Sequence, residues 1–248
     1  MLLAVDIGNT NINFAVFEKN KIIAKFSVGT KAYSFTKIKS PLKNFAESDA
    51  LICSVVPRLT NIIYKDLKHA LRGKIYVLGK HVKVPIINKY REPGQVGQDR
   101  LVNAYAGIKL YGPPLVVIDF GTAVTFDIIS KKSAYLGGLI IPGIQISLDA
   151  LHERTALLPR PQLNRPKKLI GQDTKESILS GIIFGFAAIV DNLSRRLRGF
   201  IGKKAKVIGT GGDIAIIKDY SEEIDSVRPD LTLQGINLIY QVFRKPGA

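Results

Sequence analysis

The chain has 248 residues, 46% of them apolar, enough to bury a substantial core and long enough for two lobes. Thirty-six basic residues against twenty acidic ones leave a formal charge of +16, which suits an anionic substrate and raises the question of nucleic acid. No run reaches the roughly 18 uninterrupted apolar residues of a membrane span, and the start lacks a basic, cleavable leader. The single cysteine, Cys53, excludes an intrachain disulfide and a cysteine-based zinc site. A cytoplasmic protein is the expectation.

LLAVDIG and INFAVFE read as paired strands, with EKNK as the turn into KIIAKFSV. ALICSVV is a strand that buries the Cys53 thiol. PRLTNIIYKDLKHALRG reads as a helix that Pro57 opens and Gly73 stops, and KIYVLG as a strand. In NKYREPGQVGQDRLVNAYAG a loop gives way to a helix near Gly97, so Asp99 and Arg100 fall in the first helical turn. There the helix dipole favours an ionised Asp99, a weak base, while Arg100 offers a bidentate anion contact. The plain alternative is an ordinary helix-start aspartate beside a surface arginine.

Gly-Pro-Pro at 112–114 marks a hinge or lobe boundary, and a second strand pair begins in PPLVVIDFGTAVTFDII. Asp6-Ile-Gly8-Asn9 and Asp119-Phe-Gly121-Thr122 stand 113 positions apart, which suggests duplicated lobes. PRPQLNRPKKLIGQD is a loop. TKESILSGIIFGFAAIVDNLSRRLR is the clearest helix, with Asp173 and Glu176 at capping-box spacing. Its expected apolar face is Ile178, Ile182, Phe186, Ile189, Leu193 and Leu197. The basic stretch from Arg195 to Lys206 suits the negative end of that helix, so direct nucleic-acid binding is not expected. AKVIGTGGD is a strand running into a glycine turn. The common P-loop and the Rossmann fingerprint are absent, and His69, His81 and His152 share no metal-ligand spacing. What remains is three glycine turns carrying Asp6, Asp119 and Gly211-Gly212-Asp213, suited to phosphate and to Mg²⁺ held through water.

In this order, DIGNTN, GQDR, DFGTAVTFD, YLGGLIIPG, ALHERTALLP, IGQDTKESILSG and VIGTGGD resemble the type III pantothenate kinases of the actin-like ATPase and sugar-kinase superfamily. The resemblance implies an α/β fold of two similar ribonuclease H-like lobes, each a mixed sheet with flanking helices, and an active site in the interlobe cleft. Residues 1–113 would form the lobe with the first phosphate loop and substrate motif. Residues 114–248 would form the lobe with the second phosphate loop and the adenosine-side glycine turn. It further implies ATP-dependent phosphorylation of pantothenate, the first step to coenzyme A. Asp6, Ile7, Gly8, Asn9, Thr10, Asn11, Ile12 and Asn13 would cradle ATP phosphates, with Asp6 near Mg²⁺ and Thr122 a further ATP contact. Asp99 would be the catalytic base. Tyr90, Gly97, Gln98, Asp99, Arg100 and Thr174 would hold pantothenate, and Asp119 a monovalent cation, K⁺ or NH₄⁺. Gln98 stands where the motif usually has a smaller residue. A homodimer is implied, with the glycine-spaced helix around Gly181 as a possible contact. The rival readings are a superfamily kinase for another small hydroxy acid and a kinase-like regulator that binds nucleic acid.

Overall fold

The computed structural model describes residues 1–244, and they form two compact units. The first unit takes residues 1–106 together with the segment from Leu231 onward. Its sheet contains β1 (Leu2–Ile7), β2 (Asn11–Glu18), β3 (Lys21–Gly29), β4 (Asp49–Ser54) and β5 (Ile75–Val77), in the order β3-β2-β1-β4-β5. β1 pairs antiparallel with β2 and parallel with β4, and β4 runs parallel to β5. As the middle strand β1 is covered on both faces, which explains its nearly unbroken apolar run. On one face Leu3, Val5 and Ile7 pack with Ile38 and Leu42 of α1 (Phe35–Leu42) and with Ile63 and Leu67 of α2 (Pro57–Ala70). On the other, Leu2 and Ala4 meet Val102 and Tyr105 of α3 (Gln98–Tyr111) and Leu233, Ile236 and Ile239 of α7 (Leu231–Phe243). A two-residue strand, β6 (Ile87–Asn88), lies in the loop before α3.

The second unit, Gly107–Asp230, repeats the plan. Its strands β7 (Leu115–Phe120), β8 (Ala123–Ile129), β9 (Ala134–Pro142), β10 (Lys206–Gly211) and β11 (Ser226–Val227) follow the order β11-β10-β7-β8-β9. β7 is antiparallel to β8 and parallel to β10, as β1 is to β2 and β4. Leu115 stands to β7 as Leu2 stands to β1, and the two strands share one burial pattern, so the duplication expected from the two acidic turns holds through the sheets. The core joins Val116, Ile118, Phe126 and Val207 to α4 (Ile144–Glu153), α5 (Thr174–Ile201) and α6 (Ile214–Lys218).

Several sequence expectations change. The division at 113/114 is replaced by one within α3, between Ala106 and Gly107, with the last helix returned to the first unit. The cause is α7: Gly235 lets it approach α3 so closely that a Cβ there would stand 2.6 Å from Val102 Cγ1 and 2.8 Å from its carbonyl oxygen. Thr232 Oγ1 bonds Asn103 Oδ1 at 2.8 Å across the same contact. Gly-Pro-Pro at 112–114 therefore lies inside the second unit, linking α3 to β7.

On α5 the Asp173–Glu176 cap forms: Asp173 Oδ1 accepts from Glu176 N at 2.8 Å, and Glu176 Oε2 accepts from Gln172 N at 3.0 Å. The expected apolar face largely holds: Ile178 and Phe186 are buried and Ile182, Leu193 and Leu197 pack partly buried against the core, joined by Ile183, Ala187 and Val190, while Ile189 alone of the six is exposed, at 41%. Asp191, also buried, ties the helix to the loop at 221–223. Asp191 accepts from Ser221 Oγ (2.6 Å), Glu222 N (3.2 Å) and Glu223 N (3.1 Å) there. By length and composition alone α5 could cross a membrane, but nine of its residues are buried within the fold.

Gly73 is not a helix stop. α2 ends at Ala70 and Leu71 is already extended. A Cβ on Gly73 would stand 2.2 Å from Ser48 O and 2.5 Å from Ser48 C, so the glycine is there because backbone passes over it. Gly73→Ala is expected to lower stability by about 1–3 kcal/mol, because backbone atoms at the head of β4 must move. A urea midpoint unchanged from wild type would refute this.

Candidate active site

Each unit ends its central strand in an acidic turn at the carboxyl edge of its sheet, the edge where parallel α/β sheets place ligands. In the first unit Asp6 is the penultimate residue of β1, in register with Asn13 on β2 and with Cys53 on β4. Gly8 N donates to Asn11 O at 3.0 Å and closes the turn. Thr30 pins it from the end of β3: its N donates to Thr10 O and its Oγ1 to Gly8 O, both at 2.8 Å. The tip of Asn9, Thr10 and Asn11 is exposed, while Asp6, Gly8 and Asn13 are half-buried. Ile7 and Ile12 are fully buried in the core, so of the expected ATP contacts these two can offer only main chain. Thr30, which stabilises the turn, carries no motif in the sequence.

The loop before α3 is bracketed by Asn88, whose Oδ1 accepts from Tyr90 N at 2.9 Å and whose Nδ2 donates to Pro93 O at 3.3 Å. α3 then opens as expected, and Asp99 Oδ1 accepts from Arg100 N at 2.8 Å. The carboxylate folds back over Gly97, where a Cβ would stand 2.4 Å from Asp99 Oδ1. Burial pushes the Asp99 carboxyl above its ordinary value, and the Arg100 amide and charge only partly oppose it. This reverses the expected direction. Desolvation outweighs the helix-start effect and makes Asp99 a stronger base than a surface aspartate.

Arg100 is only 9% exposed and Tyr90 is half-buried. Gln98 is accommodated by Gly79, a left-handed glycine (φ +80°): a Cβ on Gly79 would lie 3.1 Å from Gln98 Cδ. Cys53 is an inert packed thiol, raised well above its usual value by burial and then by the charges of Asp6 and Asp99. Both carboxylates therefore lie within electrostatic reach of one buried atom, at the carboxyl ends of β1 and β4.

In the second unit Asp119 is half-buried near the end of β7, beside Thr210 on β10 and Thr125 on β8. Gly121 N donates to Ala123 O at 3.2 Å, and Thr122 is exposed. The start of α4 presses on this turn: a Cβ on Gly143 would be 2.2 Å from Thr122 O. Gly211, at φ +94°, backs onto Asp119 so closely that a Cβ would be 2.6 Å from Asp119 Oδ1. Two residues on, Asp213 is half-buried, and burial raises its carboxyl. Thr174 is exposed at the head of α5 in this unit, whereas Tyr90 and Gly97–Arg100 belong to the first. Among the described residues no group of three or more His, Cys, Asp or Glu could hold a metal by itself.

Two units of one topology, each presenting an acidic glycine turn, are the fold of the actin-like ATPases and sugar kinases. A Campylobacter jejuni protein assigned to the Baf family of transcriptional activators superposes with a TM-score of 0.64 at 22% identity, covering 97% of this chain and 98% of that one. A Sinorhizobium meliloti protein assigned as a 2-dehydro-3-deoxygalactonokinase gives 0.62 at 12% identity, covering 100% and 98%. At these identities the likeness shows the fold alone.

The chain belongs to the type III pantothenate kinase family, whose model matches residues 2–196. It is 39% identical over 251 aligned positions to the type III pantothenate kinase of Dehalococcoides mccartyi strain 195, with 97% of each chain covered.

Proposed function

We infer that the protein transfers the γ-phosphoryl group of ATP to the primary hydroxyl of pantothenate, giving 4′-phosphopantothenate and ADP on the way to coenzyme A. Asp99 carries this reading: a desolvated carboxylate, fixed at a helix start in the same unit as the Asp6 turn, is a base held ready for a hydroxyl proton. In the reaction the hydroxyl oxygen bonds to the γ-phosphorus, the bond to the bridging oxygen of ADP breaks, and the hydroxyl proton passes to Asp99. Because phosphoryl transfer has a loose transition state, most of the acceleration comes from orientation and charge neutralisation.

Arg100 meets the carboxylate of pantothenate, and Tyr90, Gly97, Gln98 and Thr174 contribute to its site. The Gly8–Asn11 backbone and the side chains of Asn9, Thr10, Asn11 and Asn13 hold phosphate oxygens, and Thr122 is a further ATP contact. The Asp6 carboxylate, which belongs to no cluster of three or more His, Cys, Asp or Glu among the described residues, fits Mg²⁺, an ion that keeps most of its waters and takes the rest of its ligands from phosphate. Bound there, the ion would neutralise charge on the leaving phosphate. Asp119 is the carboxylate for K⁺ or NH₄⁺. The protein works in the cytoplasm as a homodimer, for which the exposed side of α5 at Gly181, Ala188 and Ile189 supplies a contact face.

The test is phosphorylation of pantothenate by purified protein with Mg²⁺ and ATP, in K⁺ and then in Na⁺ buffer. Turnover is expected to require K⁺, and Asp119→Asn is expected to remove the difference between buffers. No product from folded protein in either buffer would overturn the acceptor. K⁺ activation that survives in Asp119→Asn would overturn the cation site.

A further inference from the structure

The basic stretch from Arg195 to Lys206 is not spent on the helix end alone. Arg198 is neutralised by Glu223 and by Asp225, the latter at 2.7 Å, while Asp225 Oδ2 also accepts from Val207 N at 2.6 Å. The acids nearby are thus already engaged. Lys203 and Lys204, exposed on the turn between α5 and β10, have no acidic partner among the described residues. They line a groove of about 320 Å³ with Tyr111, Lys206 and Asp225.

The fold brings further cations to this place. Lys206 Nζ donates to Tyr111 O at 3.0 Å and lies 5.9 Å from the Tyr111 ring centroid. Arg228 Nε donates to Tyr111 Oη at 2.6 Å, its guanidinium 5.8 Å from the same centroid. The β8–β9 turn adds Lys131, whose Nζ would be 3.5 Å from a Cβ on Gly202, and its exposed neighbour Lys132. None of these contacts with Tyr111 removes a positive charge.

The groove opens at the start of β10, where Lys206 pairs with Leu115, whereas Asp119 pairs with Thr210 at the other end. Roughly 13 Å of strand separates the two, so the groove does not belong to the phosphoryl-transfer turns. Three residues before Lys203, Phe200 is 80% exposed at the last turn of α5. Lysines without acidic partners, and a large apolar ring in water three residues before them in the chain, are the groups that single-stranded nucleic acid requires: cations along the phosphates and an aromatic face for a base.

We propose that the groove of Lys203, Lys204 and Lys206, together with the exposed Phe200 in the last turn of α5, binds single-stranded nucleic acid without sequence preference. The α5–β10 connection supplies Lys203, Lys204 and Lys206 and the β8–β9 turn Lys131 and Lys132, so the cations suit a chain of phosphates better than one phosphate. Tyr111 is already covered by Lys206 and Arg228, which leaves Phe200 as the stacking ring.

The test is fluorescence anisotropy of the full chain with a labelled oligothymidylate of about 20 nucleotides, its duplex counterpart and labelled tripolyphosphate, over a salt series. The single strand is expected to bind most tightly. Lys203→Glu/Lys204→Glu should reduce the slope of log K against log salt by about 1.4, two phosphate contacts at about 0.7 each. Phe200→Ala should weaken single-strand binding about tenfold and leave the salt slope unchanged. Both variants should keep the wild-type thermal midpoint and kinase activity. Absence of binding at low salt, equal affinity for duplex or tripolyphosphate, or variants that bind as wild type would each overturn the proposal. So would a Phe200→Ala protein that loses its oligomeric state and keeps its oligonucleotide affinity, since Phe200 would then be a subunit contact.

Discussion

Asp99→Asn is expected to lower kcat by about 10²–10⁴, the range for removing a positioned general base, and at the same time to make the folded protein more stable at neutral pH. The two effects have one cause. Burial raises the Asp99 carboxyl, so between its ordinary value of 3.8 and its raised value the folded protein binds more protons than the unfolded chain. Stability contributed by this residue is therefore complete below pH 3.8, falls as pH climbs through the window, and stays reduced above it. Asparagine keeps an oxygen for the Arg100 N–H and carries no charge to desolvate. Its thermal midpoint should exceed wild type at pH 7 and approach it below pH 3.8. Activity follows the opposite course, since the base must be ionised to act. The acid limb of kcat/KM should lie above the ordinary carboxylate range and disappear in the residual rate of Asp99→Asn. A variant both slow and less stable at pH 7 would mean that Asp99 supports the fold instead.

That prediction depends on something the sequence did not disclose. The position of Asp99 in the first turn of α3 was legible from Gly97 and the change of pattern after it. The electrostatic outcome was not, because a dipole acts locally and can be read from helix position, whereas desolvation depends on what surrounds the carboxylate. The same division runs through the fold. β1 and β7 were legible because central strands are apolar runs ending in an aspartate-glycine turn, and α2 and α5 because they are long, periodic and well marked at their starts. α4, α6 and α7 carried no such signals, and α7 changed the domain division through Gly235, whose only message is the absence of a side chain. Within the site, Ile7 and Ile12 were drawn into the ATP loop because a motif is a contiguous string. Alternation along β1 and β2 sends their side chains into the core. Thr30 and Gly79 went unread for the converse reason: each acts on a motif far away in the chain.

Gly97→Ala offers the sharpest separation of geometry from stability. The added methyl would stand 2.4 Å from Asp99 Oδ1 and 3.6 Å from Val55 Cγ1, so the only hard conflict is with the far end of one side chain. Asp99 relieves it by swinging away, at little cost to folding, and the carboxylate leaves the position in which it accepts from Arg100 N. A displacement of about 1 Å at a reacting group costs on the order of 10²-fold in rate, so kcat should fall by about that factor with a urea midpoint close to wild type. The double variant Gly97→Ala/Asp99→Asn tests the route of the effect. If the methyl acts only by moving the carboxylate, it has little left to damage once the carboxylate is an amide, and the double variant should be about as slow as Asp99→Asn alone. Losses that multiply would show that Gly97 serves pantothenate directly, through its main chain, independently of the base.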